Sequence, residues 1–201
     1  MNLLSDLQYF PTVIFYKYSY LNLNIVFEQY ESYQKMSFRN RCIIAGANGP
    51  ITLSIPLQEG RNQKTMMKDV KMDGTKWQAQ HWKSIVSCYN KSPWFEFYKD
   101  ELGQLYSRKF IFLVDWNLTC FEWSMQKLKL SRQVSLTESF EENVAEGTID
   151  LRNKILPKNY EDFELIRYRQ VFEDKVGFLP NLSILDLLFC EGNAAVEKLK
   201  G

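Results

Sequence analysis

The chain has 201 residues, 45% of them hydrophobic and 15% aromatic, with 25 basic and 24 acidic side chains. That much apolar surface excludes a disordered chain, and the length suits one sizeable core. A net charge of +1 excludes a molecule-wide field for steering onto nucleic acid, and no apolar run nears the roughly 20 residues of a membrane helix.

Leu3 to about Gln8 reads as a short buried strand, closed by the loop at Pro11. Val13–Leu21 is aromatic and apolar, and its period fits a helix or an extended segment equally. Ile25-Val26-Phe27-Glu28 is a buried strand ending on a carboxylate. Cys42–Ala45 and Ile51–Ile55 are β-rich runs around Gly46-Ala47-Asn48-Gly49-Pro50; Asn-Gly there predicts a tight hairpin with positive φ angles. Residues 58–65 are polar and read as a loop, and Val70-Lys71-Met72 as another short strand.

Helices fill the middle. Thr75 and Gln78 have capping-box spacing, and Trp77, His81, Ile85 and Tyr89 follow at four-residue steps. Ser92-Pro93 predicts the cap and first turn of a second helix lined by Phe95, Tyr98, Leu102 and Leu105. Asp115 is the expected cap of a third, carrying Leu118, Phe121, Met125 and Leu128. Ser135–Glu146 is an acidic loop, and Leu165–Phe172 alternates like a strand. Ser183 and Asp186 again have capping-box spacing ahead of a last helix that Gly192 ends.

The four cysteines, Cys42, Cys88, Cys120 and Cys190, form no metal or redox motif, so a reduced, cytoplasmic chain is expected. No signal peptide is visible. No Gly-x-Gly-x-x-Gly or Walker lysine pattern occurs, and the sequence names no cofactor. Charge is uneven. Lys35–Lys83 holds nine basic and three acidic residues, a local excess of six; from Ser131 onward acids exceed bases by four. The basic stretch points to a local anion site.

Several landmarks resemble the WbqC-like protein family, in its shorter, Bacteroidetes-type branch. They are Tyr9-Phe10-Pro11, then Glu28-Gln29-Tyr30-Glu31-Ser32-Tyr33-Gln34-Lys35, then Phe38-Arg39-Asn40-Arg41-Cys42. His81-Trp82, Tyr89, Ser92-Pro93, Tyr168–Phe172 and Gly177–Phe189 continue the likeness over almost the whole chain. The resemblance implies a bacterial protein of O-antigen or other surface-polysaccharide assembly, with a proposed transferase role that includes moving glycine onto a sugar. The longer branch opens on His-Gln-Pro and carries an acidic pair after its second strand. Here those places read Gln8-Tyr9-Phe10-Pro11 and Glu28-Gln29, so chemistry resting on those groups would not carry over.

The candidate binding residues are Tyr30, Tyr33, Lys35, Arg39, Asn40 and Arg41. Arginine presents a planar fork suited to phosphate or carboxylate. Strand alternation would send Arg39 and Arg41 to one side and Asn40 to the other. They hold an anionic donor, a nucleotide sugar or an activated amino acid, or else they pair with Glu28 or Glu31. Tyr30 and Tyr33 offer rings for stacking, or ordinary core filling. Glu28, at a strand end, is a candidate general base, with a salt bridge to the arginines as the alternative. His81 is the only histidine, which leaves no second imidazole for a two-histidine metal site. It is either a second candidate base or a satisfied core histidine, and no metal ligand set is assigned.

The expected architecture is α/β, one domain over residues 1–201, with a small mixed sheet flanked by helices and the Asn-Gly hairpin; α+β is the alternative. The expected function is a transferase acting on an anionic donor and a sugar acceptor, or a non-catalytic binding or scaffold protein of the same pathway. The second reading relies on the five tryptophans as docking anchors.

Overall fold

The computed structural model describes residues 2–58, 64–74 and 76–200. Its centre is a four-stranded, all-parallel sheet. β1 (Asn2–Asp6), β2 (Asn24–Glu28), β5 (Gln133–Leu136) and β6 (Thr148–Asp150) lie in the order β5-β2-β1-β6. β3 (Arg41–Gly46) and β4 (Gly49–Ser54) form a separate antiparallel hairpin. The class is α/β in a single domain, with parallel and antiparallel pairing divided between two sheets.

α1 (Val13–Leu21) links β1 to β2, which resolves the ambiguous aromatic segment as helix. The crossover is what parallel pairing of consecutive strands requires. α2 (Lys76–Tyr89), α3 (Phe95–Ser107) and α4 (Leu113–Lys127) follow the hairpin. After β6 come the single turn α5 (Glu173–Val176), then α6 (Ile184–Glu191) and α7 (Ala195–Leu199).

One face of the parallel sheet packs into the core. Phe27 meets Phe15 and Phe121 at ring-centroid distances of 6.0 and 4.9 Å, and Leu3 and Ile25 are fully buried beside them. The hydrophobic α6 runs through the centre, with Leu185, Leu187, Leu188 and Phe189 all inaccessible to solvent. The opposite sheet face, carrying Leu4 and Val26, borders a cavity also lined from Thr137 to Ala145. That asymmetry positions the site described below.

Several local expectations are corrected. Val70–Met72 makes only isolated bridges, Leu57 with Met72 and Lys71 with Phe112, beside a 3-10 turn at Met67–Asp69. Leu165–Phe172 joins no sheet, although Ile166, Tyr168 and Gln170 are buried and the residues between them exposed. The loop expected from Ser135 begins as strand, because β5 runs to Leu136. Ser92 does not cap α3: its hydroxyl donates to the Tyr89 carbonyl at 2.7 Å. Phe112, not Asp115, precedes α4, and Asp115 sits within the first turn, where a carboxylate complements the helix dipole. In the hairpin Gly49 rather than Asn48 supplies the positive φ, at 118°. Thr75 of the expected capping box, and residues 59–63 of the polar loop, lie outside the described residues.

Ser183 does cap α6, its Oγ accepting from the Leu185 N–H, and Gly192 ends that helix at φ 54°. Asp186 does not complete a capping box. Its carboxylate instead accepts from the Tyr89 and Tyr168 hydroxyls, both at 2.7 Å, and from Gln170 Nε2 at 2.9 Å. Cys42, Cys88 and Cys120 are buried free thiols and Cys190 is a half-buried one. Among the described residues no helix is long and apolar enough to cross a membrane.

Candidate functional site

β1 and β2 pair in register, so Asp6 stands beside Glu28 at the carboxyl edge of the sheet. Strand ends of open parallel sheets favour polar side chains because the backbone opens into loops there. Both carboxylates are buried. Burial of charge demands partners, and the loops that follow the strands supply them.

Glu28 is held on one side only. Its Oε1 accepts from the Tyr30 N–H at 2.7 Å, the Glu31 N–H at 3.2 Å and the Thr137 hydroxyl at 3.0 Å. Thr137 is itself fixed at the end of β2, its N–H donating to the Phe27 carbonyl at 2.9 Å. Oε2 of Glu28 is buried and accepts no hydrogen bond. The nearest opposite charge is Arg152 Nη1, 3.6 Å away.

Arg152 follows β6 and is clamped. Nε and Nη2 grip the Asp150 carboxylate, Nη1 donates to the Glu141 carbonyl at 2.7 Å and Nη2 to the Glu142 carbonyl at 3.3 Å. The hydrogen bonds it donates to Asp150 raise the guanidinium's affinity for its proton. Burial alone would raise the Asp150 carboxyl, but the bonds from Arg152 outweigh it and hold that carboxyl below its ordinary value. Glu28, Thr137 and Arg152 line a cavity of about 320 Å³ over Leu4 and Val26.

Deeper at the same edge lies a second group. Asp6 Oδ1 accepts from the Asn153 N–H at 2.9 Å, and Oδ2 from Gln8 Nε2 at 3.2 Å. Asn153 adopts φ 55°, a conformation that Asn tolerates better than most residues. Its side chain donates to Glu31 Oε1 at 2.5 Å and accepts from Arg39 Nη1 at 3.0 Å. Arg39 Nη2 closes the loop on Glu31 Oε2 at 2.6 Å.

The sequence-predicted residues therefore divide. Arg39 is buried, with an exposure of 1%. It sits in a turn ahead of β3, not in the strand, so the expected alternation with Arg41 fails. Arg41 opens β3 half-buried, with Nη1 3.1 Å from Met36 Sδ and Nε without a hydrogen-bond partner. Asn40 accepts from the Tyr33 hydroxyl and donates to the Ile55 carbonyl, both at 2.8 Å, and so pins β4. Both guanidiniums act electrostatically on the Tyr33 hydroxyl, Arg41 more strongly. Tyr30 is half-buried beneath Lys68, whose Nζ lies 5.6 Å from the ring, and Lys35 is exposed. The salt bridge anticipated for Glu31 is made with Arg39, whereas Glu28 pairs with Arg152.

His81 belongs to an aromatic core. It stacks on Tyr9 at 5.8 Å, and Tyr9 Oη lies 3.1 Å from its Nδ1 and 2.5 Å from Tyr106 Oη. Burial lowers the imidazole to about 4, partly offset by the Ser54 backbone, which favours the charged ring. Trp77, Trp116 and Trp123 are buried nearby, so they form no exposed docking face. No cluster of three or more His, Cys, Asp or Glu side chains among the described residues is placed to hold a metal.

Asp6, Thr137, Arg152 and Asn153 were not singled out from sequence. Asp6 had the same signal as Glu28, a carboxylate ending an apolar strand. Thr137 and Arg152 follow strands of four and three residues, too short to announce their ends.

Comparison with known proteins identifies the family. The model of the WbqC-like protein family matches residues 8–160, from Gln8 just after β1 past Arg152 and Asn153. The chain is 24% identical over 196 residues to the Mycobacterium tuberculosis (strain ATCC 25618 / H37Rv) protein "Uncharacterized protein Rv1507c", covering 84% of each. No solved structure matches the chain significantly. The family match takes in most of the chain and nearly every side chain of the polar edge just described, and the chain belongs to the WbqC-like protein family.

Proposed function

We propose that the chain is a transferase of surface-glycan assembly that moves a small acyl group, glycine among the candidates, onto a sugar. Glu28 is its general base. The observation that carries this reading is the one-sided tethering of Glu28: three donors fix Oε1 while Oε2 is left without a hydrogen bond beside a cavity. A carboxylate preorganised in that way is suited to accept a proton. It takes one from the acceptor hydroxyl or amine as the freed lone pair bonds to the acyl carbon of an activated donor. The bond from that carbon to the donor's leaving group breaks, and its electron pair goes with the leaving group.

The anionic donor, a nucleotide sugar or an activated amino acid, is assigned to Arg41, whose Nε is unpartnered. Arg39 and Asn40, engaged by Glu31, Asn153 and Tyr33, are assigned a supporting role. His81 is the lesser candidate for the base, since Tyr9 and Ser54 already engage its ring.

The test is transfer from acyl thioesters and aminoacyl adenylates to free sugars, followed by mass spectrometry. Glu28→Gln should lower the rate by about 10²–10⁴-fold, and Arg41→Ala should weaken donor binding. Equal turnover in wild type and Glu28→Gln would remove the reading. The rival, a non-catalytic binding or scaffold protein, draws on the saturation of Arg39 by Glu31 and Asn153; it requires no turnover with any donor.

A further inference from the structure

We propose that the cavity beside Glu28 binds the acceptor as a protonated primary amine carried on a sugar, so that the acceptor class is an amino sugar. This rests on the transferase reading above and names the substrate of that same site.

The first argument is charge. The cavity lining includes Glu28, Glu138 and Glu141, with Arg152 as the only cation among its lining residues. Residues 138–147 contain Glu138, Glu141, Glu142 and Glu146 and no basic residue. A strap of that composition beside a cavity attracts a cation and repels a phosphate.

The second argument is donor capacity. A guanidinium has five N–H groups, and those of Arg152 are directed at the Asp150 carboxylate, the Glu141 and Glu142 carbonyls and Glu28. It has little left to offer an anionic ligand. Glu28 shows the opposite imbalance. Its side chain is 1% exposed and its Oε2 accepts no hydrogen bond. The deficit at the cavity is therefore in donors, and an ammonium group supplies three.

The third argument is shape. About 320 Å³ is the scale of a small-ligand pocket. Its lining is mixed, with Leu4 and Val26 on the sheet face and the polar Asn143 and Thr148 among the other residues. Apolar and polar lining together suit the C–H face and hydroxyls of a sugar ring. The carboxylates are not gathered into a group fit for a metal among the described residues. That favours dispersed N–H and O–H donors over a metal ion.

The test is calorimetric titration of the full chain, without donor, using D-glucosamine, D-glucose and N-acetyl-D-glucosamine at neutral pH. Glucosamine should bind saturably and the two sugars lacking a free amine at least tenfold more weakly. Glu28→Gln should weaken glucosamine at least tenfold. The exposed pair Glu138→Gln/Glu141→Gln should weaken it several-fold without touching the buried cluster, and Glu96→Gln on α3 should change nothing. Equal affinity for all three sugars, absence of glucosamine binding, or tighter binding of magnesium or calcium chloride at the same site would each overturn the proposal. Failure here leaves acyl transfer to another acceptor intact, whereas binding without turnover would count against the transferase alone.

Discussion

Glu28 and Arg152 face one another across 3.6 Å with side chains only 1% and 8% exposed, yet they share no hydrogen bond. Each is bonded elsewhere, Glu28 through Oε1 to β2's own exit loop and Arg152 to Asp150 and the carbonyls of Glu141 and Glu142. The pair is thus an electrostatic contact between two independently anchored groups. Glu28 Oε2 takes part in neither anchor.

Removing one member should expose that dependence. Arg152→Ala deletes the guanidinium that faces Glu28 and unfastens the acidic strap. Breaking a buried pair from one side costs about 3–5 kcal/mol. Urea denaturation should show a loss of that order, and Glu28→Gln/Arg152→Ala should recover part of it. A double variant no more stable than Arg152→Ala would show that the strap contacts, rather than the Glu28 charge, dominate.

Arg39 and Arg41 should separate cleanly. Arg39→Ala removes a buried guanidinium and leaves the part-buried Glu31 and Asn153 without it, so a loss of about 1–3 kcal/mol is expected. Arg41 is half-buried and its recorded contact is to a thioether. Arg41→Ala should cost under about 1 kcal/mol in the same denaturation experiment. Comparable losses at the two sites would mean that Arg39 is no more structural than Arg41.

The sequence carried the hairpin and the helices because each has a strong local signal: β-branched runs around a glycine turn, or an apolar face repeating along the helix. The edge strands had none. β5 and β6 are short and only partly buried, and their parallel pairing depends on β1 and β2, far away in the chain. At Leu165–Phe172 the period-two signal was real, since Ile166, Tyr168 and Gln170 are buried in turn. That segment is extended against side chains and not against another strand, a distinction periodicity does not make. Within the site, Glu28 was legible as a strand-end acid, and its partner Arg152 was not, because the strand before it was unseen.

The Asp186 network predicts a graded pair of substitutions. Tyr168→Phe removes one donor from Asp186 Oδ2, and Gln170 still serves that oxygen. Tyr89→Phe removes the donor to Oδ1 and also the acceptor of the Ala45 N–H at 2.9 Å. Each buried polar group left alone costs about 1–3 kcal/mol. Tyr89→Phe should therefore be the more destabilising in urea. The reverse order would mean that water replaces the Tyr89 hydroxyl.

His81 should make stability fall in mild acid. Its imidazole is lowered to about 4 by burial, from an ordinary value of 6.5, with the Ser54 backbone bond only partly offsetting this. Between pH 6.5 and about 4 the unfolded chain binds a proton that the native state refuses. Stability therefore rises with pH across that window and is lost as pH falls through it, by on the order of 3 kcal/mol at most. Asp186 works in the opposite sense, since burial raises its carboxyl and favours the native state as pH falls. Comparing wild type with His81→Gln cancels that contribution, because both proteins keep Asp186. Urea midpoints measured from pH 4 to 7 should converge at the acid end and diverge toward neutrality, and parallel curves would refute a neutral buried imidazole.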